Sequence, residues 1–342
     1  MSLQADQRPL MEINDLSFSY PRRMFEKSEN LFSIHNVSLE IKQGCRYGLI
    51  GESTCGKTTF GKLITLLLTK VNSGYIKFDG DNRSIFQYSK KEARGYRKRV
   101  QMIFQNPDAS LNPGMKIGAS IAEAVKSCPK QKRTKKNIQE KVKEYLSLIR
   151  LADKEDNYPD VLSGGEKRRV SIIRSLALEP DLIVADEPFS SLDASLRNEM
   201  LSLLLDEMPN ISYLFILHDL DVASYVCDIV AVMYMGYLVE IGQKHYIFSR
   251  NAVRHPYTDT LLLVQDLLGS YQTEEMEDSP VLTMPKKDDC AFRTIPKKGG
   301  CAFLNRCALH RKLNVQQKSK CDEVPELKII EGNHKIACHF RS

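Results

Sequence analysis

The chain has 342 residues, of which 42% are hydrophobic and 27% charged, with a formal net charge of +6. That is globular composition with room for about two domains, and so modest a charge does not by itself mark a nucleic-acid binder; a polyphosphate ligand or a membrane surface suits it equally. No run of about 18 apolar residues is present, so no spanning helix is expected, and Met1-Ser2-Leu3-Gln4-Ala5-Asp6 lacks the basic start and apolar run of an export signal.

Along the chain, Met11-Glu12-Ile13-Asn14-Asp15-Leu16-Ser17-Phe18 alternates apolar and polar side chains. Residues 32–41 do the same, which predicts an antiparallel pair with one covered face. Residues 46–50 read as a short buried strand, 57–68 as a helix, and 74–80 and 99–104 as further strands. Residues 115–178 read as mainly helical, on the three-and-four spacing of Val142, Tyr145, Leu146, Leu148 and Ile149. Strands are expected at 182–185 and 213–217, then a hairpin, 230–235 and 237–241, turning at Gly236. Strands alternating with helices predict an α/β core with a parallel sheet. The basic run 129–136, with Lys130, Lys132, Arg133, Lys135 and Lys136, reads as a solvated helix start rather than a binding patch. Residues 266–289 are polar and aperiodic and read as a linker to residues 290–342.

Nine cysteines are present: Cys45, Cys55, Cys128, Cys227, and five from Cys290 onward, the others being Cys301, Cys307, Cys321 and Cys338. An odd total without an export signal fits a reducing compartment, where clustered cysteines more often hold metal than form disulfides.

Gly51-Glu52-Ser53-Thr54-Cys55-Gly56-Lys57-Thr58 fits the phosphate-cradling pattern G-x-x-x-x-G-K-[ST]. Gly51 and Gly56 permit a tight turn whose N–H groups face inward. Lys57 brings positive charge to the β/γ-phosphates, Thr58 a hydroxyl to Mg²⁺, and the helix that includes Thr59 aims its positive end at the same anion. The apolar run Leu182-Ile183-Val184-Ala185 ends in Asp186-Glu187. Asp186 would hold Mg²⁺, directly or through water, and Glu187 would polarise the attacking water as general base.

Between these lies Leu162-Ser163-Gly164-Gly165-Glu166, and with it the chain resembles the ATP-binding-cassette ATPases over residues 8–265. The resemblance implies a P-loop α/β core with an antiparallel β subdomain and an α-helical signature subdomain, plus a small cysteine-rich C-terminal extension. Gln105 matches the glutamine that senses Mg²⁺ and the membrane partner. Ser191-Leu192-Asp193 matches the loop joining two monomers, His218 the switch histidine, and Tyr20 the ring stacked on adenine. Ser163, Gly164 and Gly165 would meet ATP held by the opposite subunit, so that two ATP molecules glue a head-to-tail dimer. The resemblance has departures. Thr54 and Cys55 stand where relatives often have glycine and serine or cysteine. Glu166 replaces a glutamine: its carboxylate would weaken phosphate binding or face solvent, with Lys167, Arg168 and Arg169 to offset it.

Three further stretches resemble the oligopeptide/dipeptide and nickel importer ATPases of bacteria and archaea: Ala109-Ser110-Leu111-Asn112-Pro113, His255-Pro256-Tyr257-Thr258, and the tail with Cys301, Cys307, Cys321 and Cys338. That implies peptide uptake at the cytoplasmic face of the cell membrane. The partners would be a second cassette ATPase, a copy or a paralog, two permease subunits docking around residues 106–125, and an external solute-binding protein; no nucleic acid is implied. The four tail cysteines suit a [4Fe–4S] cluster or zinc. Their spacing lacks a tight C-x-x-C, and the family, some of whose members carry a cluster here, favours iron–sulfur. Cys290 and His310 are weaker ligands. Other readings are an importer of nickel or another small solute, a soluble cassette protein outside transport, and a clamp that binds ATP without hydrolysing it.

Overall fold

The computed structural model describes residues 9–21, 33–128, 134–190, 194–205, 210–249, 251–270 and 300–341. β1 (Pro9–Ser19) pairs antiparallel with β2 (Ser33–Lys42). An irregularity at Asn14 and Asp15, where Asp15 takes φ +46°, keeps both Ile13 and Leu16 on the covered face. β3 (Arg46–Ile50) leaves this layer for a second sheet and feeds α1 (Lys57–Ile64). The helix predicted over 57–68 stops at Ile64: Leu66 turns to φ +55°, and the N–H groups of Leu67 and Leu68 both return to the Lys62 carbonyl.

β4 (Ser73–Phe78) comes back to the free edge of β1 and completes a three-stranded antiparallel sheet. α2 (Lys90–Arg99), opened by a Ser89–Glu92 capping box, leads to β5 (Val100–Ile103). Three helices follow: α3 (Ile117–Ser127), α4 (Lys135–Leu148) and α5 (Gly164–Leu176). They pack through Ile121, Val125, Val142, Tyr145, Leu146, Val170 and Ile173, all buried. Lys135 and Lys136 open α4 after the Thr134 cap, as a solvated helix start; Lys130, Lys132 and Arg133 lie outside the described residues.

β6 (Leu182–Asp186), α6 (Ala194–Leu205), β7 (Ser212–Leu217), α7 (Leu220–Val226), β8 (Ile229–Tyr234) and β9 (Tyr237–Gln243) build the rest of the large sheet. The hairpin turns at Met235 and Gly236, both at positive φ. α8 (Lys244–Phe248) and α9 (Pro256–Ser270) close this stretch. Beyond residue 300 come α10 (Ala308–Lys312), α11 (Val315–Lys320), β10 (Lys328–Glu331) and β11 (His334–Ile336).

The large sheet runs β10-β11-β9-β8-β3-β7-β6-β5. β8, β3, β7, β6 and β5 are parallel, and β9, β11 and β10 add an antiparallel edge. Its buried strands split their side chains between two cores. Ile183, Ala185, Tyr213 and Phe215 face the helices; Leu182, Val184, Leu214 and Ile216 face α1 and the small sheet. This two-sided burial explains why β6 and β7 are apolar without alternation. The last segment joins this sheet through β11, and Phe303 enters the helix-side core.

Candidate functional site

The loop between β3 and α1 is held by unusual backbone angles. Gly51 takes φ +149°, and a Cβ there would stand 2.1 Å from the Met233 carbonyl oxygen of β8. Gly56 caps α1 at φ +110°. Thr54 takes φ +70°, which strains a β-branched residue by about 1–2 kcal/mol; the glycine common in cassette proteins would relieve it. Lys57 is buried, and its Nζ donates to the carbonyls of Gly51 (2.7 Å) and Glu52 (2.8 Å). The loop thus satisfies an ammonium that would otherwise be unpaired, and the first N–H groups of α1 have no carbonyl one turn back. Thr58 and Thr59 follow in the first turn.

Asp186 ends β6, is buried, and shares a hydrogen bond with the Thr58 hydroxyl. Burial holds its carboxyl above the usual range, while Thr58, Lys57 and Lys62 pull it down and Glu187 pushes it up. A hydroxyl and a carboxylate side by side are hard oxygen donors, and they fit Mg²⁺.

Glu187 sits at φ +45°. Its N–H donates to the Ile216 carbonyl at 3.0 Å, and its own carbonyl accepts from Ser190 Oγ at 3.0 Å and Arg168 Nη1 at 2.7 Å. These bonds fix a strained residue and aim its carboxylate. Gln105 Nε2 donates to Glu187 Oε2 at 2.7 Å, and His218 Nδ1 stands 3.6 Å from Oε1. Gln105 follows β5, Glu187 follows β6 and His218 follows β7, three neighbours in the sheet. The site therefore lies at the carboxyl edge of parallel strands, where α/β sheets bind ligands.

Ser163 caps α5: its Oγ accepts the Glu166 N–H at 3.3 Å, and Glu166 Oε2 accepts the Ser163 N–H at 2.8 Å. Gly164 and Gly165 are the first helical residues. Glu166 Oε1 takes a 2.6 Å bond from Lys154, and that bond, first among its contacts, lowers its carboxyl to about 2. Glu166 is thus turned into the cap, and its counter-charge is Lys154 rather than the three basic residues after it. Lys167 pairs with Asp108 at 2.9 Å. Arg168 is buried and bonds the carbonyls of Gln105 and Glu187. Tyr20 is 40% exposed at the end of β1, edge-on to Phe18 with ring centroids 4.9 Å apart. An open ring face suits stacking on a base. Ser191, Leu192, Asp193 and Cys290 lie outside the described residues.

Cys301, Cys307, Cys321 and Cys338 are free thiols that line one small cavity, together with His255, His310 and His339 and apolar side chains such as Phe303, Leu313 and Phe340. Burial pushes the Cys301 thiol up to about 11, and the other three thiols add to it. Among the described residues, no three His, Cys, Asp or Glu stand together as ligands of a single ion. A single zinc with bonds of about 2.3 Å would draw its four sulfurs to within about 4 Å of one another. A cluster that offers one iron to each thiolate needs no such approach. Four thiols around one cavity are the donor type of both groups.

Four residues near these centres have contacts that the sequence did not foretell: Arg168, read there only as a counter-charge to Glu166, and Glu240, Tyr257 and Arg306. Tyr257 had a signal, as part of the His255-Pro256-Tyr257-Thr258 stretch; its hydroxyl accepts the Glu52 N–H at 2.8 Å. Glu240 accepts from the His255 N–H (3.0 Å) and Thr258 Oγ1 (2.5 Å) and pairs with His334 (2.7 Å), joining α9 and β11 through a buried carboxylate.

The parallel sheet, the phosphate loop and the Asp186-Glu187 pair define a P-loop nucleotide hydrolase, and the capped Ser163 helix makes it a cassette ATPase. The chain belongs to the ATP-binding-cassette transporter family. The family described as "ABC transporter" matches residues 34–190. The oligopeptide transport ATP-binding protein AppF of Bacillus subtilis (strain 168) is 35% identical over 347 aligned residues, covering 99% of each chain. The dipeptide transport ATP-binding protein DppF of Escherichia coli (strain K12) is 36% identical, covering 75% of this chain and 76% of its own. Among solved structures, cbiO1 from Clostridium perfringens, part of the ABC transporter complex cbiONQ, superposes with a TM-score of 0.59 at 25% identity, over 76% of this chain and 99% of that one. The cassette MJ0796, bound to ADP and phosphate as a dimer, has the same fold, with a TM-score of 0.60 at 23% identity, over 68% of this chain and 98% of that one. Among the described residues no helix is long and apolar enough to cross a membrane.

Proposed function

We propose that this ATPase energises the uptake of oligopeptides or dipeptides across the cytoplasmic membrane, as a peripheral subunit on its cytoplasmic face. The observation that carries the reading is the similarity to the oligopeptide transport protein over 99% of both chains, which takes in the cysteine-bearing segment as well as the cassette. In this reading residues 8–265 belong to the cassette and 290–342 to a C-terminal region, and α9 continues to Ser270, into the stretch 266–289 read from sequence as a linker. The partners are a second cassette ATPase, two permease subunits and, indirectly, an external solute-binding protein.

In this reading residues 51–59 cradle the phosphates and Lys57 transfers its bonds from loop carbonyls to phosphate oxygens. Tyr20 stacks on the base. Thr58, Asp186 and Gln105 would hold Mg²⁺, which would supply positive charge to the phosphates. Glu187 takes a proton from the water that attacks the γ-phosphorus, the bond to ADP breaks, and His218 stabilises the phosphate released. Ser163, Gly164 and Gly165 serve the ATP of the other subunit through a helix N-terminus.

A route from permease to site is supported by three contacts between the residue 106–112 loop and α5. Lys167 bonds Asp108 (2.9 Å), Ser171 bonds Ser110 (2.8 Å), and Arg174 reaches the Ser110 carbonyl. Motion pressed on that loop passes to α5, and through Arg168 to the Gln105 and Glu187 backbones. The four tail thiols would hold a [4Fe–4S] cluster.

Co-purification with the two permease subunits, followed by uptake of labelled peptide into vesicles loaded with ATP, tests the reading. An ATPase that binds no membrane subunit, or drives uptake of nickel but not peptide, would overturn it.

A further inference from the structure

We propose that Arg306 is a positioning residue for the nucleotide loop: it holds and neutralises the Glu52 carboxylate, so that the cysteine-bearing segment sets the charge shown to the phosphates. Arg306 lies between Cys301 and Cys307 and is 254 positions from Glu52 in the chain. Its Nη1 stands 2.8 Å from one carboxylate oxygen of Glu52 and 3.0 Å from the other. The guanidinium lies 5.8 Å from the ring centroids of both Tyr234 and Phe303. Phe303 is fully buried against Tyr234, Tyr257 and His255.

Tyr257 belongs to the same aromatic wedge and takes the Glu52 N–H. Glu52 is therefore gripped twice, by its backbone and by its carboxylate. The Arg306 and Glu52 side chains are 32% and 41% exposed, so as a contribution to folding the pair counts for little. Its effect is local. Glu52 directly follows Gly51, and its carbonyl holds the Lys57 ammonium. A bare carboxylate in this loop would repel a triphosphate, and the guanidinium removes that repulsion.

The inference rests on residues 51–59 being the nucleotide loop. It is tested on the full-length chain by ATPase kinetics at low salt and saturating Mg²⁺, beside equilibrium titration with a fluorescent ATP analogue. Arg306→Gln is expected to raise KM and the analogue's Kd about three- to fivefold, with kcat within about twofold. Added salt should shrink that effect. Glu52→Gln in the Arg306→Gln background should restore KM, because the charge left exposed is gone; Arg306→Lys should fall between native and Arg306→Gln.

A contact that only supports the fold would give no such rescue. Unchanged KM in Arg306→Gln, or a double variant no better than the single one, overturns the inference. Should Arg306→Gln fail to fold, Glu52→Gln alone decides: KM at or below the native value supports the inference, and a raised KM overturns it. A native chain that does not hydrolyse ATP would instead sink the reading of the loop itself.

Discussion

Gln105 occupies the carboxylate of Glu187, its Nε2 donating to Oε2 at 2.7 Å, while Arg168 binds the backbone carbonyls of both residues. Glu187 and Gln105 are thus held as a unit by α5. Glu187→Gln keeps the size and removes the proton acceptor. Turnover should fall by about a hundredfold or more, with ATP binding retained and an ATP-bound dimer visible by size-exclusion chromatography. Undiminished hydrolysis would remove Glu187 from the role of base.

Thr54 is a β-branched residue at φ +70°. Thr54→Gly relieves the left-handed strain and loses some of that gain to the freer unfolded chain, for a net stabilisation of up to about 1 kcal/mol. Denaturant midpoints of the two proteins compare them directly; a destabilised glycine variant would mean that the threonine side chain has a contact of its own.

Glu166→Gln keeps an oxygen for the Ser163 N–H but loses the charge pair with Lys154, a difference of about 1 kcal/mol at neutral pH. The native carboxyl is depressed to about 2, so its contribution is complete above the unfolded value near 4.5 and fades as pH falls toward 2. The gap between native and variant thermal midpoints should therefore narrow below pH about 4.5. A constant gap would mean that the charge is not its source.

Glu240 is wholly buried and satisfies donors from His255, Thr258 and His334. Glu240→Ala strands all three and should cost about 3–5 kcal/mol. Because the contacts join β9 to α9 and β11, limited proteolysis should cut the C-terminal region of the variant first. Equal protease resistance would show that other contacts hold that region.

The cluster assignment predicts a brown protein after anaerobic purification, with about four irons and four acid-labile sulfides per chain. Cys321→Ser should bleach it. Colourless folded protein free of iron, or stoichiometric zinc in its place, would contradict the assignment.

Much of this was legible in local order. The phosphate loop needs only consecutive residues, because glycine spacing and the helix after it are local properties. The Asp186-Glu187 strand end, the Gly236 hairpin and the Ser163 cap are readable for the same reason. The end of α1 at Ile64 was not, since Leu63 through Leu68 carry a helical pattern and only the turn at Leu66 ends it. Glu166 was ambiguous until Lys154, twelve positions away, supplied its partner.

What sequence alone determined is the set of groups on offer: a phosphate-loop pattern, two carboxylates at a strand end, and four thiols in the tail. Only the tertiary structure decided which of these meet. Sheet order brings Gln105, Glu187 and His218 together from the ends of neighbouring strands, because parallel strands place their carboxyl ends side by side. Pairing of β11 with β9 carries the cysteine segment back onto the cassette and sets Arg306 against Glu52. No local spacing encodes that contact. It exists because buried strands must pair and Phe303 must leave water, and those demands are met only once the whole sheet has formed.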